Sequence, residues 1–310
     1  MFDNSYENQK KEVSGWWNSD NIKKWDWMYD DYSIHDIEYL KNRQNIVIDL
    51  INNNSSHNNK ILELGYGAGQ TALELGKKGF EVHGLDISKN LYDIAHRRCK
   101  KNNPKGKYYL KVGSIESNYD YEENYFDIVV VLGALQYLHN IPSCLNEVYR
   151  VLKPGGFFIV AQRNHYSLSN MTSFRQIVRT IIHFIFREEH ELFPSFKSIL
   201  IDSKLGKIFK KFENSKFMNT NFMLKGHDNW KYKIDKKKIS MYLMSKLLKN
   251  CGFRILNKYG SYYCFSEKRK YYNYNIKFDK TFKKIADKKY MPLLKNLGRS
   301  LVIISEKEEK

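Results

Sequence analysis

The chain has 310 residues, 42% hydrophobic and 28% charged, enough for one large domain or a core domain with an insertion, and its composition excludes a disordered or fibrous chain. Lys and Arg outnumber Asp and Glu by 52 to 34, a formal net charge of +18; that excess suits nucleic acid or an anionic membrane as partner, and equally lysines scattered over solvated faces. No apolar run approaches the ~18 residues that would span a bilayer, and the N-terminus lacks the basic-then-apolar order of a secretory signal. Cys99, Cys144, Cys251 and Cys264 show neither metal-ligand spacing nor disulfide-framework density, so a reduced, cytoplasmic chain with no bound metal is expected.

Residues 1–32 are polar yet carry Trp16, Trp17, Trp25, Trp27, Tyr29 and Tyr32. So many tryptophans are costly to expose, which leaves a strap across the core or an aromatic lid over a ligand. Ile34 to Ile51 has helical periodicity and ends in the turn-rich 52–59. Next, Ile61, Leu62 and Leu64 form a short buried strand containing Glu63, followed by Gly65, Tyr66, Gly67, Ala68 and Gly69 and then a helix. A strand that breaks into a glycine turn and a helix is a nucleotide-binding start. The third glycine comes too early for a dinucleotide fingerprint. A carboxylate at the strand end also repels a pyrophosphate and suits a ligand that carries an ammonium group.

Phe80 to Leu85 predicts a second strand closing on Asp86, about 20 residues past the glycine turn, where an acid accepts ribose hydroxyls. Ser88 caps the following helix. Tyr108–Val112 predicts strand three, running into Gly113, Ser114, Ile115 and Glu116. Phe126–Val131 predicts strand four, followed by Leu132, Gly133, Ala134, Leu135, Gln136 and Tyr137. Pro142–Leu152 predicts a helix stopped by Pro154-Gly155-Gly156, which feeds strand five at Phe157–Ala161. Residues 166–239 interrupt this alternation with apolar stripes flanked by Arg and Lys, either a helical cap over a cleft or a basic amphipathic surface for an anionic membrane. Ser240 caps a further helix ended by Gly252, with strand six at Phe253–Tyr259. Residues 267–290 interleave basic and aromatic residues, a composition that binds single-stranded nucleic acid or covers a solvated excursion. Strand seven is expected at Leu301–Ser305, with Glu306 to Lys310 frayed.

The ordered series Glu63-Leu-Gly-Tyr-Gly-Ala-Gly69, Asp86, Phe126-Asp127 with its apolar run, and Leu145 to Val160 resembles the class I S-adenosylmethionine-dependent methyltransferases over about residues 33–165 and 240–306. The resemblance implies an α/β Rossmann-like fold with a seven-stranded, mostly parallel sheet (strand seven antiparallel), helices on both faces and a mainly helical cap insertion. The organisation it implies is an N-terminal strap and helix at 1–55, a core at 56–165 plus 240–308, and the cap at 166–239. S-adenosyl-L-methionine is the implied cofactor, held by Glu63, Gly65, Tyr66, Gly67, Gly69, Asp86, Ile87, Ser114, Ile115, Leu132 and Gly133, with Tyr32 and Arg43 candidates for its methionine carboxylate. Where Ser114 stands, the family often has an aspartate, and many relatives have His at Gln136 or Tyr137. The proline-aromatic or proline-cysteine signature of DNA methylation is missing after strand four. The expected reaction is O- or N-methylation of a small-molecule or glycan-intermediate acceptor; a lipid or quinone-like acceptor at a membrane surface, or RNA bound through the basic C-terminal stretch, is the alternative. His165 is the candidate base, and Gln136, Tyr137, Arg163, Asn164 and His190 are candidate substrate contacts.

Overall fold

The computed structural model describes residues 4–18, 35–56, 58–103, 105–116, 118–164, 167–168, 239–264, 278–284 and 296–308. His165, His190, Tyr32, residues 169–238 of the expected cap, and most of the basic stretch at 267–290 lie outside them. The chain opens with helix α1 (Asn4–Trp17) and helix α2 (His35–Asn54). Strand β1 (Lys60–Leu64), helix α3 (Gln70–Lys77), strand β2 (Glu81–Asp86), helix α4 (Lys89–Asn102) and strand β3 (Lys107–Val112) follow. Strand β4 (Phe126–Leu132) leads through a 3₁₀ turn (Leu135–Tyr137) to helix α5 (Ile141–Val151) and strand β5 (Leu152–Arg163). Helix α6 (Met241–Asn250), strand β6 (Phe253–Ser261), a short helical stretch at 278–284 and strand β7 (Ser300–Lys307) follow among the described residues.

The strands form one seven-stranded sheet in the order β3-β2-β1-β4-β5-β7-β6, parallel except for β7, which runs antiparallel to both neighbours. Central strands covered on both faces have no alternation to show: Ile61, Leu62 and Leu64, and Ile128 to Val131, are all fully or almost fully buried. One face packs on α5 and α6 through Leu145, Val148, Met244 and Leu248. The opposite face packs on α2, α3 and α4 through Val47, Ile51, Leu75 and Cys99. The fold class is the one the resemblance implies. The switch in strand order lies between β1 and β4, so the carboxyl ends of the parallel strands open a crevice there.

Two details depart from the expectation. Pro154-Gly155-Gly156 does not stop the chain before the strand; it is a bulge inside β5, which pairs Leu152 with Phe126 and then Phe157 with Ile128. Gly156 is needed there, because a Cβ would meet the carbonyl oxygens of Lys153 and Asp127 at 2.8 and 2.9 Å. Asp127 explains the aromatic-Asp pair in strand four: its carboxylate accepts from the Lys60 amide at 2.8 Å and from the Lys153 ammonium at 2.6 Å, tying β1 and the bulge together. The second departure is the C-terminus. Glu306 and Lys307 are not frayed but continue β7, and Glu306 pairs with Arg254 of β6. Lys307 is 9% exposed, its ammonium donating to Asn124 Oδ1 and to the carbonyls of Tyr149 and Leu152. A buried ammonium with three acceptors has replaced the water it lost.

Among the described residues no helix is long and apolar enough to cross a membrane. Phe278 and Phe282 of the basic stretch meet in a tilted ring contact, and Phe282 meets the buried Tyr263 in the same way. Lys307→Ala leaves two carbonyls without their donor, so it is expected to lower stability by about 2 kcal/mol or more, measured as a shift in urea midpoint at unchanged slope.

Candidate active site

The crevice at the β1/β4 switch is a cavity of about 220 Å³. Its floor comes from the glycine turn after β1. Gly67 has φ +56, its amide donates to Asp86 Oδ2 at 2.9 Å, and a Cβ there would meet nothing within 4 Å because the position faces the open cleft. Any side chain would take space that a ligand needs, on a backbone that L-residues avoid. Asp86 Oδ1 accepts from the Ser88 amide, and Ser88 caps α4 by accepting from the Leu91 amide. Burial pushes the Asp86 carboxyl up to about 6, against the amide hydrogen bonds that favour its charge.

Glu63 is the most heavily perturbed carboxylate of the cleft. It is 2% exposed, and burial raises it from an ordinary value of 4.5 to about 8; the Asp86 charge raises it too, while hydrogen bonds from Thr71 and the Ala72 amide partly offset the rise. Thr71 is itself held by Gln44 of α2, whose amide donates to its hydroxyl at 3.1 Å. Oε2 of Glu63 has no hydrogen-bond partner. A buried carboxylate oxygen left unpaired at a cleft wall costs free energy that a cation in the cleft would recover.

Gly65, Tyr66, Ile87, Ser114, Ile115, Leu132, Gly133, Gln136, Tyr137 and Arg163 also line the cleft, together with Arg43 from α2. Ser114 Oγ accepts from the Glu116 amide, and Gln136 donates to the Gly133 carbonyl. Tyr66 donates to the Lys111 carbonyl. Two of the expected site residues are placed elsewhere. Gly69 caps α3 and backs onto Ala95. Asn164 is not a cleft residue: 2% exposed, it donates its amide to the carbonyls of Asn296 and Gly298, fastening the end of β5 to the entry of β7.

Sequence reasoning did not assign Lys10, Val13, Gln44, Thr71, Glu116 or Leu138 to the site, yet all line it, as does Trp17 of the aromatic segment for which a lid was one of two readings. The aromatic density near Trp16 and Trp17 was the available signal. In place of an extended strap the structure has α1, which bridges the loops after β2 and β4. Ser88 Oγ donates to the Trp17 carbonyl, and Gln9 donates to the Tyr137 carbonyl. Trp17 meets Tyr137 edge-on with centroids 5.6 Å apart. Glu116 accepts the amides of His139 and Asn140 and fixes the turn into α5. Among the described residues no three His, Cys, Asp or Glu are grouped to hold a metal.

A family model described as a methyltransferase domain matches residues 62–160, from Glu63's strand through the β5 bulge. The chain carries a class I S-adenosylmethionine-dependent methyltransferase domain. A demethylmenaquinone methyltransferase of Leptospira interrogans is 32% identical to that domain over 118 residues, 37% of this chain and 47% of the relative. A phosphoethanolamine N-methyltransferase of Caenorhabditis elegans is 26% identical over 164 residues, 46% of this chain and 36% of the relative. The methyltransferase domain thus spans about half or less of the length of the curated relatives it matches. Among solved structures, a Haemonchus contortus phosphoethanolamine N-methyltransferase bound to phosphomonomethylethanolamine and S-adenosylhomocysteine superposes with TM-score 0.57 at 16% identity, over 97% of this chain and 60% of that one. The magnesium protoporphyrin IX methyltransferase of Synechocystis, bound to S-adenosylhomocysteine, gives 0.57 at 12% identity over 97% and 100%. These likenesses bear on the fold of the methyltransferase domain.

The raised Glu63 value has a sign for stability. The folded chain keeps this proton where the unfolded chain has lost it, so the group's contribution to stability falls as pH rises from about 4.5 to about 8. Glu63→Gln removes that dependence: by calorimetric scanning the ligand-free variant is expected to melt above the parent near pH 8 and to lose that advantage near pH 5.

Proposed function

We propose that the protein transfers the methyl group of S-adenosyl-L-methionine to a small-molecule acceptor. The observation that carries this reading is the unpaired, buried Glu63 oxygen beside the open face of Gly67. Together they suit a ligand with an ammonium group and a close-lying backbone contact. Glu63 would accept the donor's ammonium, Arg43 its carboxylate and Asp86 its ribose hydroxyls, while Ile87, Ile115 and Leu138 offer apolar contact and Ser114 a polar group to the base. When bound, S-adenosylmethionine supplies an electrophilic methyl group that the acceptor's heteroatom attacks in line. The chain's own work is to orient the two reactants, to exclude water with the wall of α1, and to hold Tyr137 and Arg163 at the acceptor side. His165, next after Asn164, is the proposed base for an acceptor of high pKa. The names of the curated relatives favour a second form of the reading, in which the acceptor is a quinone-like lipid.

Calorimetric titration with S-adenosylmethionine is expected to show one site per chain, weakened by about tenfold or more in Asp86→Ala as two ribose hydrogen bonds are lost. With methyl-labelled donor and a cell extract, label should enter small molecules, and partition into the organic phase would select the quinone-like form. Absence of donor binding, or label only in macromolecules, would overturn the reading.

A further inference from the structure

Helix α2 presents one face to the cleft. Tyr39, Leu40, Arg43 and Gln44 all line it, at the spacing of neighbours on a single helical face. The later pair serves the donor end: Gln44 holds Thr71 beside Glu63, and Arg43 reaches Gly133. Tyr39 stands one turn earlier, about 6 Å back along the axis. Its surroundings belong to the other half of the sheet. The ring packs with Leu40, Tyr262 and Cys264, and the Arg299 guanidinium lies over it, 4.0 Å from the centroid. Arg299 is fixed between the ends of two strands. Its carbonyl accepts from the Asn164 amide, just past β5, at 2.8 Å, and its amide donates to the Tyr262 carbonyl, just past β6, at 3.0 Å. Tyr39 is therefore seated by the carboxyl ends of β5 and β6, while Glu63 and Asp86 mark those of β1 and β2.

This packing accounts for the ring and leaves the hydroxyl unexplained. Tyr39 is 9% exposed, yet its hydroxyl makes no hydrogen bond among the described residues and remains open to the cleft. A phenylalanine would fill the same space, and the cation–π contact does not need the oxygen. Tyr66, which also lines the cleft, spends its hydroxyl on the Lys111 carbonyl. Buried tyrosine hydroxyls ordinarily find a partner. An unbonded one, held rigid on a cleft wall, is a group kept for a ligand.

With its ammonium at Glu63 and its ribose at Asp86, the donor lies over β1 and β2, and the acceptor enters from the β4–β5 side. The short aliphatic stretch between the donor's ammonium and its sulfur is comparable in length to the turn of α2 from Arg43 back to Tyr39. We propose that the Tyr39 oxygen accepts a hydrogen bond from the acceptor's nucleophilic O–H or N–H group and holds that atom in line with the methyl group. This rests on the methyltransferase reading and adds a catalytic contact to that same site. In the transfer, a lone pair of the acceptor forms the bond to the methyl carbon as the carbon–sulfur bond breaks and its electron pair returns to sulfur. The nucleophile's proton leaves afterwards to solvent, or beforehand to the base proposed at His165. Tyr39 exchanges no bond and no charge. By fixing the direction of the O–H or N–H it leaves the lone pair facing the methyl, a gain of orientation.

The test uses the full chain and two donor analogues in a calorimeter. One is S-adenosylhomocysteine; the other is sinefungin, in which an amine-bearing carbon replaces the sulfur and its nitrogen stands where the methyl group would. That ammonium should donate to Tyr39, so Tyr39→Phe is expected to weaken sinefungin about tenfold and S-adenosylhomocysteine by less than about twofold, as for one hydrogen bond to a charged group. Equal effects on the two ligands, or no effect on either, would overturn the inference. With methyl-labelled donor and the small-molecule fraction of a cell extract, Tyr39→Phe should lower the rate at saturating donor about tenfold and leave KM for the donor unchanged. An unchanged rate would overturn it too. A parent chain that binds neither analogue would remove the donor reading and this inference together; the other outcomes leave the donor reading in place.

Discussion

A carboxylate with one unpaired oxygen, buried at the end of a central strand, is the constraint on which the rest of the site depends. Glu63 stands where a sheet core would ordinarily place another aliphatic side chain, between Leu62 and Leu64. Its burial is imposed by the sheet and by α2 and α3, and the same burial raises its affinity for a proton. The protein therefore holds a group that is poorly satisfied until a cation arrives. Free energy withheld from the ligand-free fold becomes available to binding, which is how functional sites come to oppose stability.

Helix α2 links that constraint to everything around it. Val47 and Ile51 anchor it on the sheet, Gln44 positions Thr71 against Glu63, and Arg43 reaches the far wall at Gly133. One helix thus sets the ammonium end of the cleft and one of the two guanidiniums. From the other side α1 joins the loops after β2 and β4 through Trp17 and Gln9, so the cleft is enclosed by residues far apart in sequence. Ser88, just past β2, and the turn that carries Tyr137 are each tied to α1 by a side chain–backbone bond.

The parts legible in the sequence are those whose cause is local. Glycine spacing, an acid at the end of each of two strands and the Ser88 cap are short-range patterns, and they led to Glu63, Gly67 and Asp86. Strand existence was equally plain, because Ile61–Leu64 and Phe126–Leu132 are apolar but for one acid each. What stayed hidden depends on distant partners. Asn164 looked like a cleft residue and instead tethers two carbonyls more than a hundred positions away. Lys307 looked like a solvated tail and is a buried clamp on three acceptors. Pro154-Gly155-Gly156 carries the chemistry of a turn, yet the pairing of β4 with β5 turns it into a bulge.

Glu63 changes its charge when the donor binds, and proton release measures that change. With the free carboxyl near 8 it is largely protonated at pH 7, and an ammonium beside it favours the ionised form. Titration with S-adenosylhomocysteine at pH 7 in buffers of low and high ionisation enthalpy should show release approaching one proton per site, and affinity that rises as pH increases toward about 8. Glu63→Gln should bind more weakly and release none. Heats that do not depend on the buffer, together with full affinity in Glu63→Gln, would show that Glu63 keeps its charge state and does not hold the donor.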